Sequence, residues 1–124
     1  MESNKVLVIY NQKCSKCRET QQLLEQKKEK NSSLSIDYHY YLQDGISEQL
    51  LEKIVDLLKV SDVKNIMRDT DQLYKDLKIK ESNFSQQELK NLIIKNPALL
   101  QRPIVIYQDK AVIARPPSNI NEIL

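Results

Sequence analysis

The chain has 124 residues, 40% of them hydrophobic and 29% charged, with 19 Lys and Arg against 17 Asp and Glu. A net charge of +2 supplies no strong basic field of the kind that nucleic acid or an anionic membrane selects, so neither is expected as a partner. The composition is that of a globular protein long enough for a proper core, and a single domain over residues 1–124 is expected.

The first element is the apolar run Val6-Leu7-Val8-Ile9-Tyr10. It is continuous and rich in β-branched residues, and it reads as a buried strand. It is too short for a signal peptide or a membrane span, so a cytoplasmic location is expected. After a short loop comes Cys14-Ser15-Lys16-Cys17-Arg18, and then a helical pattern from Glu19 to Lys28 with Leu23 and Leu24 on one side. The order is strand, loop, cysteine, helix. A cysteine near a helix start meets unpaired backbone N–H groups and the positive end of the helix dipole, and both favour a thiolate. The thiolate is the nucleophilic form, so the placement points to thiol chemistry.

Two cysteines in a CxxC pair, with no export signal in front, read as redox-active or catalytic. Either the pair cycles between dithiol and disulfide, or Cys14 is the nucleophile and Cys17 resolves its adduct. A zinc site would need two more soft ligands. Only His39 remains, on a strand, so no metal is expected.

Residues 34–42 alternate Ile36, Tyr38 and Tyr40 against Asp37, His39 and Tyr41, which predicts a second strand. Gln43-Asp44-Gly45 is a turn holding the chain's one glycine. Ser47 is an N-cap, and Leu50, Leu51, Ile54, Val55, Leu57 and Leu58 mark an amphipathic helix. Short helices are expected over 62–67 and 71–77. Ser85-Gln86-Gln87-Glu88 has capping-box spacing and opens a helix to Lys95, which Asn96-Pro97 ends. Two strands, 103–107 and 110–114, form a hairpin around Gln108-Asp109. Pro116-Pro117 stops the second, and Ser118 is expected to cap a short terminal helix. The resulting order, β-α-β, then helices, then β-β-α, resembles the thioredoxin-like arrangement: an α/β fold with a four-stranded mixed sheet and a helical insert between its halves.

The basic residues comprise fifteen lysines and only four arginines: Arg18, Arg68, Arg102 and Arg115. Arginine presents a planar fork that grips an oxyanion at two points, which lysine cannot do. Taken singly, Arg18 reads equally as a solvated helix residue and Arg115 as an edge-strand charge.

Together the motifs match a family. Tyr10-Asn11-Gln12-Lys13-Cys14, Arg18, Ile66-Met67-Arg68 followed by Tyr74, Asn96-Pro97, Leu100-Gln101-Arg102-Pro103-Ile104-Val105 and Ala114-Arg115-Pro116-Pro117 span most of the chain. It resembles the arsenate reductases of the glutathione/glutaredoxin-coupled type and the related Spx regulators. The resemblance implies that Cys14 attacks arsenate and that Arg68, Arg102 and Arg115 bind the oxyanion and its thiol adduct. It implies that Asn11 and Arg18 support the oxyanion or the thiolate, and that Pro103 is a cis-proline facing the cysteine. It also implies arsenic detoxification with no bound cofactor, electrons coming from glutathione and glutaredoxin. Three positions depart from the family pattern. Tyr10 stands where many members carry histidine, Gln12 where many carry proline, and Cys17 where many carry serine. A second thiol at Cys17 allows a Cys14–Cys17 disulfide recycled by thioredoxin or glutaredoxin. The alternatives are an Spx-like redox-sensing regulator that binds RNA polymerase, and a general glutaredoxin-like disulfide oxidoreductase. The first is disfavoured by Arg115, and the second leaves the arginines unexplained.

Overall fold

The computed structural model describes residues 4–124, so the first three positions of the expected domain lie outside the described residues. The chain is organised in two units. One comprises the chain up to Asp44 together with Arg102–Leu124, and the other is Gly45–Gln101.

The first unit is built on β1 (Lys5–Tyr10), α1 (Ser15–Lys30), β2 (Ser35–Tyr40), a short α2 (Tyr41–Asp44), β3 (Ile104–Tyr107), β4 (Lys110–Ile113) and a terminal 3₁₀ segment, Pro117–Glu122. The strands form one mixed sheet in the order β2-β1-β3-β4. β1 runs parallel to β2 and antiparallel to β3, and β3 runs antiparallel to β4. β1 is central, which is why it is apolar without alternation: both its faces are covered. Val6, Val8 and Tyr10 share one face with Val105 and Val112, and pack with Cys14, Cys17, Leu24, Leu34, Ala114 and Ile120. Ile9, Ile104 and Ile106, on the opposite face, are buried as well.

Strand register decides where the chemistry sits. Ile9 pairs with Ile104 and Ile104 with Ile113. The C-terminal end of β1, the N-terminal end of β3 and the C-terminal end of β4 therefore share one edge of the sheet. The parallel pairing of Tyr10 with Tyr40 brings the end of β2 to the same edge. There Tyr10 meets Tyr38 and Tyr40 edge-to-face, at 5.1 and 5.6 Å between ring centres. These tyrosines pack as a strand cluster.

Several boundaries fall within one or two residues of the sequence pattern, and the expected helix over 62–67 is a 3₁₀ turn, Val63–Ile66; three further differences matter to the fold. Helix α1 begins at Ser15, four residues before the apolar period becomes visible at Glu19. Strand β2 ends at Tyr40, where its partner β1 also ends, so Tyr41 leaves the sheet and opens α2 fully buried. The terminal helix is 3₁₀ rather than capped by Ser118: Pro116 is its N-cap and makes no side-chain capping bond.

The second unit carries α3 (Glu48–Leu58), α4 (Gln72–Asp76), α5 (Gln86–Lys95) and 3₁₀ turns at Val63–Ile66, Ile79–Glu81 and Pro97–Leu99. Ser47 caps α3 by accepting from the Leu50 N–H at 3.0 Å, and Asp71 caps α4 through the Leu73 N–H. Ser85 and Glu88 form the full capping box of α5. The Gln86 side chain accepts from the Val63 N–H at 2.7 Å and donates to Asp62 Oδ1 at 3.2 Å, fixing α5 to the first 3₁₀ turn. Glu52 and Lys90 pair at 2.9 Å between α3 and α5.

With one glycine in the chain, left-handed backbone falls to other residues. Gly45 takes φ 78°, but Lys59, Lys78 and Gln108 also sit at φ 52–57°, a region where side chains are strained.

The capping box is a local device with a measurable weight. Ser85→Ala is expected to lower unfolding free energy by about 1 kcal/mol in urea titration, and an unchanged midpoint would contradict that role.

Candidate active site

The loop after β1 is shaped by Asn11. Its carbonyl accepts from the Cys14 N–H at 2.9 Å, and its side-chain Oδ1 accepts from the Lys13 N–H at 3.1 Å. This turn delivers Cys14 to the N-cap position of α1, so Cys17 falls in the first helical turn. The Cys14 sulfur makes no formal capping hydrogen bond, yet the Cys17 backbone N–H and thiol are close enough to favour its anion.

The two thiols differ sharply. Burial on its own would raise Cys14, but the Cys17 N–H, the Cys17 thiol and the Arg102 guanidinium outweigh it, and Cys14 lies below its ordinary value. Cys17 is fully buried. Burial, reinforced by the neighbouring Cys14 charge, pushes it up to about 12. Cys14 is therefore the more readily ionised of the pair, and Cys17 the one that keeps its proton. Both cysteines are reduced.

Two arginines of this unit reach Cys14. Arg102 precedes β3 through a cis peptide to Pro103. Burial weakens the Arg102 charge, while Tyr41 and Cys14 more than compensate. Arg115 follows β4; its Nε donates to the Arg102 carbonyl at 2.5 Å, and its Nη2 stands 3.7 Å from the Cys14 sulfur. Arg115 is exposed, so water screens its charge, and Arg102 is the cation that acts on Cys14 ionisation. The Ala114 N–H bonds the Pro103 carbonyl at 2.9 Å, which holds the two arginine-bearing segments together. The Arg115–Pro116 peptide is also cis.

Arg18 Nη1 donates to the Gln12 carbonyl at 3.3 Å and braces the loop. Tyr10 donates its hydroxyl to Gln21 at 2.6 Å, and burial holds its phenol above the ordinary range. It is a neutral donor turned toward α1, so it offers no base to Cys14.

Arg68 belongs to the other unit. Its Nη1 stands 3.4 Å from Asp71 Oδ2, and its backbone N–H bonds the Leu99 carbonyl at 2.7 Å. Gln101 donates to the Met67 carbonyl from its side chain, and Met67 bridges Leu100. The Ile66-Met67-Arg68 segment is thus stitched to the segment ending at Gln101.

Two residues at the sheet edge escaped the sequence reading. Asn119 Nδ2 donates to the carbonyls of Ile113 and Arg115, at 3.1 and 3.2 Å, and fixes the turn that carries Arg115. Tyr41 is fully buried where β2 ends, and it strengthens the Arg102 charge. Nothing local in the sequence marks Asn119, and the strand alternation put Tyr41 on the wrong side.

The sequence model of the ArsC family matches residues 9–123. The chain belongs to the ArsC family. An arsenate reductase of Haemophilus influenzae is 42% identical over 119 residues, covering 96% of this chain and 98% of that one. An arsenate reductase of Neisseria meningitidis is 32% identical over 119 residues, covering 96% and 97%. The solved arsenate reductase of Vibrio cholerae superposes with a TM-score of 0.87 at 34% identity, covering 98% of this chain and 99% of that one. The fold of this ArsC chain is accordingly the α/β thioredoxin-like one with an open four-stranded mixed sheet. Among the described residues no helix is long and apolar enough to cross a membrane.

The Cys17 shift has a consequence for stability. An unfolded thiol releases its proton near about pH 8.5, whereas folded Cys17 holds its own to about 12. The folded state binds this proton more tightly, so stability falls as pH rises between those values. Urea unfolding at successive pH values above ~8.5 should show a steeper alkaline loss in the parent chain than in Cys17→Ser. Parallel slopes would contradict the assignment.

Proposed function

We propose that this ArsC-family enzyme is a cytoplasmic arsenate reductase in which Cys14 is the nucleophile and Arg102 and Arg115 are oxyanion ligands. The observation that carries the reading is the pairing of a thiol held below its ordinary pKa with two arginines at its sulfur. A tetrahedral dianion needs several forked cations near backbone N–H groups. Arg68 enters as a third arginine through its family motif. Asn11 acts by shaping the loop, and Arg18 by bracing it.

In the first step the Cys14 thiolate attacks arsenic. An S–As bond forms, and one oxygen leaves as water after taking up protons. In the second step a thiol attacks the Cys14 sulfur. The S–As bond breaks with its electron pair going to arsenic, arsenic falls from the +5 to the +3 state, and arsenite leaves. The two sulfurs are oxidised to a disulfide. Where the second thiol is glutathione, glutaredoxin reduces the mixed disulfide. Where it is Cys17, the product is a Cys14–Cys17 disulfide for thioredoxin or glutaredoxin. Cys17 is adjacent and protonated near neutrality, so it must lose its proton as it attacks.

The test is arsenate-dependent NADPH oxidation, coupled once through glutathione and glutaredoxin and once through thioredoxin. Turnover in one system, abolished by Cys14→Ser, is the expected result, and the productive system identifies the donor. Absence of turnover in both, with a readily formed Cys14–Cys17 disulfide, would favour the redox-regulator or general oxidoreductase reading. Arg102→Lys keeps the charge but loses the fork. It is expected to lower kcat/KM for arsenate at least tenfold, on the order of the loss of one charge-assisted hydrogen bond. Full activity in that variant would refute the bidentate clamp.

A further inference from the structure

No step of the proposed reaction uses Asn119, yet its side chain is committed twice. Nδ2 donates to the Ile113 carbonyl at 3.1 Å and to the Arg115 carbonyl at 3.2 Å. These two carbonyls bracket the segment that carries Arg115 out of β4. The residues after Arg115 are Pro116 and Pro117, and proline has no backbone N–H. The chain therefore supplies no backbone donor of its own between Arg115 and Ser118, and the Asn119 amide fills that gap. The Arg115 N–H turns back to the Ile113 carbonyl at 2.9 Å, and the Asn119 N–H to the Pro116 carbonyl at 3.0 Å, so the turn is tied at both ends. Asn119 sits on a fixed frame. The next residue, Ile120, is fully buried in the same core cluster as Val112, Ala114 and Cys14.

We propose that Asn119 is a positioning residue that holds the Arg115 backbone where its guanidinium reaches the Cys14 sulfur. Arg115 Nη2 stands 3.7 Å from Cys14 Sγ, and its Nε donates to the Arg102 carbonyl. Both contacts are made by a long, exposed side chain with many rotamers to choose among. They are kept only if the backbone from which that side chain starts is kept. β4 is an edge strand that ends at Ile113, so the residues beyond it depend on ties of this kind. The chemistry selects an amide. One amide nitrogen carries two N–H groups and meets two carbonyls at once, whereas a hydroxyl has a single donor and a carboxylate has none. The consequence falls on anions: a held Arg115 keeps a positive charge at the sulfur, facing whatever oxyanion arrives there.

The inference rests on the proposed role of Cys14 as a nucleophile that meets anions, but its test needs no arsenate. Iodoacetate and iodoacetamide both alkylate the Cys14 thiolate, which forms a C–S bond and expels iodide, and only iodoacetate is an anion. The ratio of the two rates at Cys14, read by mass spectrometry at one pH, cancels the thiolate fraction and reports the cation held at the sulfur. Arg115→Gln is expected to lower the iodoacetate-to-iodoacetamide ratio about three- to fivefold, the effect of one unit charge a few ångströms away in water. Asn119→Ala should lower it about twofold or more, and no further in an Arg115→Gln background, because the residue it works through is gone. Asn119→Leu keeps the size, loses the donors, and should match Asn119→Ala. A ratio in Asn119→Ala equal to the parent's overturns the proposal. So does a fall of equal size with and without Arg115, which would mean that Asn119 acts through the fold at large. A ratio restored by Asn119→Leu overturns it too, since packing rather than hydrogen bonding would then be the cause. A fall confined to chains that carry Arg115 upholds the positioning role even if no arsenate is turned over, an outcome that would overturn the reductase reading alone.

Discussion

A buried thiol whose ionisation is nonetheless favoured is the constraint around which this site is arranged. Burial disfavours the charged form of Cys14, as it does for any buried acid. Three features reverse that preference: the backbone N–H of Cys17, the Cys17 thiol, and the guanidinium of Arg102. The first is a property of any helix start. The second requires Cys17 to remain protonated, and the same burial secures that by raising it to about 12. The third requires an arginine from a distant part of the chain. The ionisation of Cys14 thus draws on a helix terminus, a neighbouring side chain and a strand end.

The sheet satisfies this requirement by register. β1 and β3 are antiparallel, so the chain leaves β1 where it enters β3, and the Cys14 loop adjoins Arg102. The β3–β4 hairpin returns to the same edge, which puts Arg115 beside Arg102, and their backbones are tied through Ala114 and Pro103. A one-residue slip of β3 would turn each of its side chains to the other face of the sheet. The apolar pairing of Val8, Val105 and Val112 therefore protects the chemistry as well as the core.

Much of this was legible in the residues. The apolar run at Val6, the alternation through Tyr38 and Tyr40, and the caps at Ser47 and Ser85 each predict their element, because each rests on a local pattern. The helical insert and the four-stranded sheet follow from element order. The first turn of α1 was invisible because Ser15 to Arg18 carry no apolar period. Tyr41 continues the outward-facing set of Asp37 and His39, and only the end of β1 explains why the strand stops before it. The hydrogen bond of Arg18 to the Gln12 carbonyl depends on side-chain geometry that spacing does not encode. Asn119 shows the same limit, since its two carbonyl partners are set by how the terminal 3₁₀ segment returns to β4.

The two cysteines of one motif are unequal: Cys14 is the more readily ionised, and Cys17 holds its proton. Competitive labelling of the folded chain by a small charged alkylating agent, at successive pH values from mildly acidic to alkaline, measures this inequality most directly when each cysteine is quantified by mass spectrometry. Cys14 should label first, with a midpoint below the ~8.5 of an ordinary thiol, while Cys17 stays unmodified well into the alkaline range. Labelling of Cys17 at or below the pH at which Cys14 reacts would contradict the account.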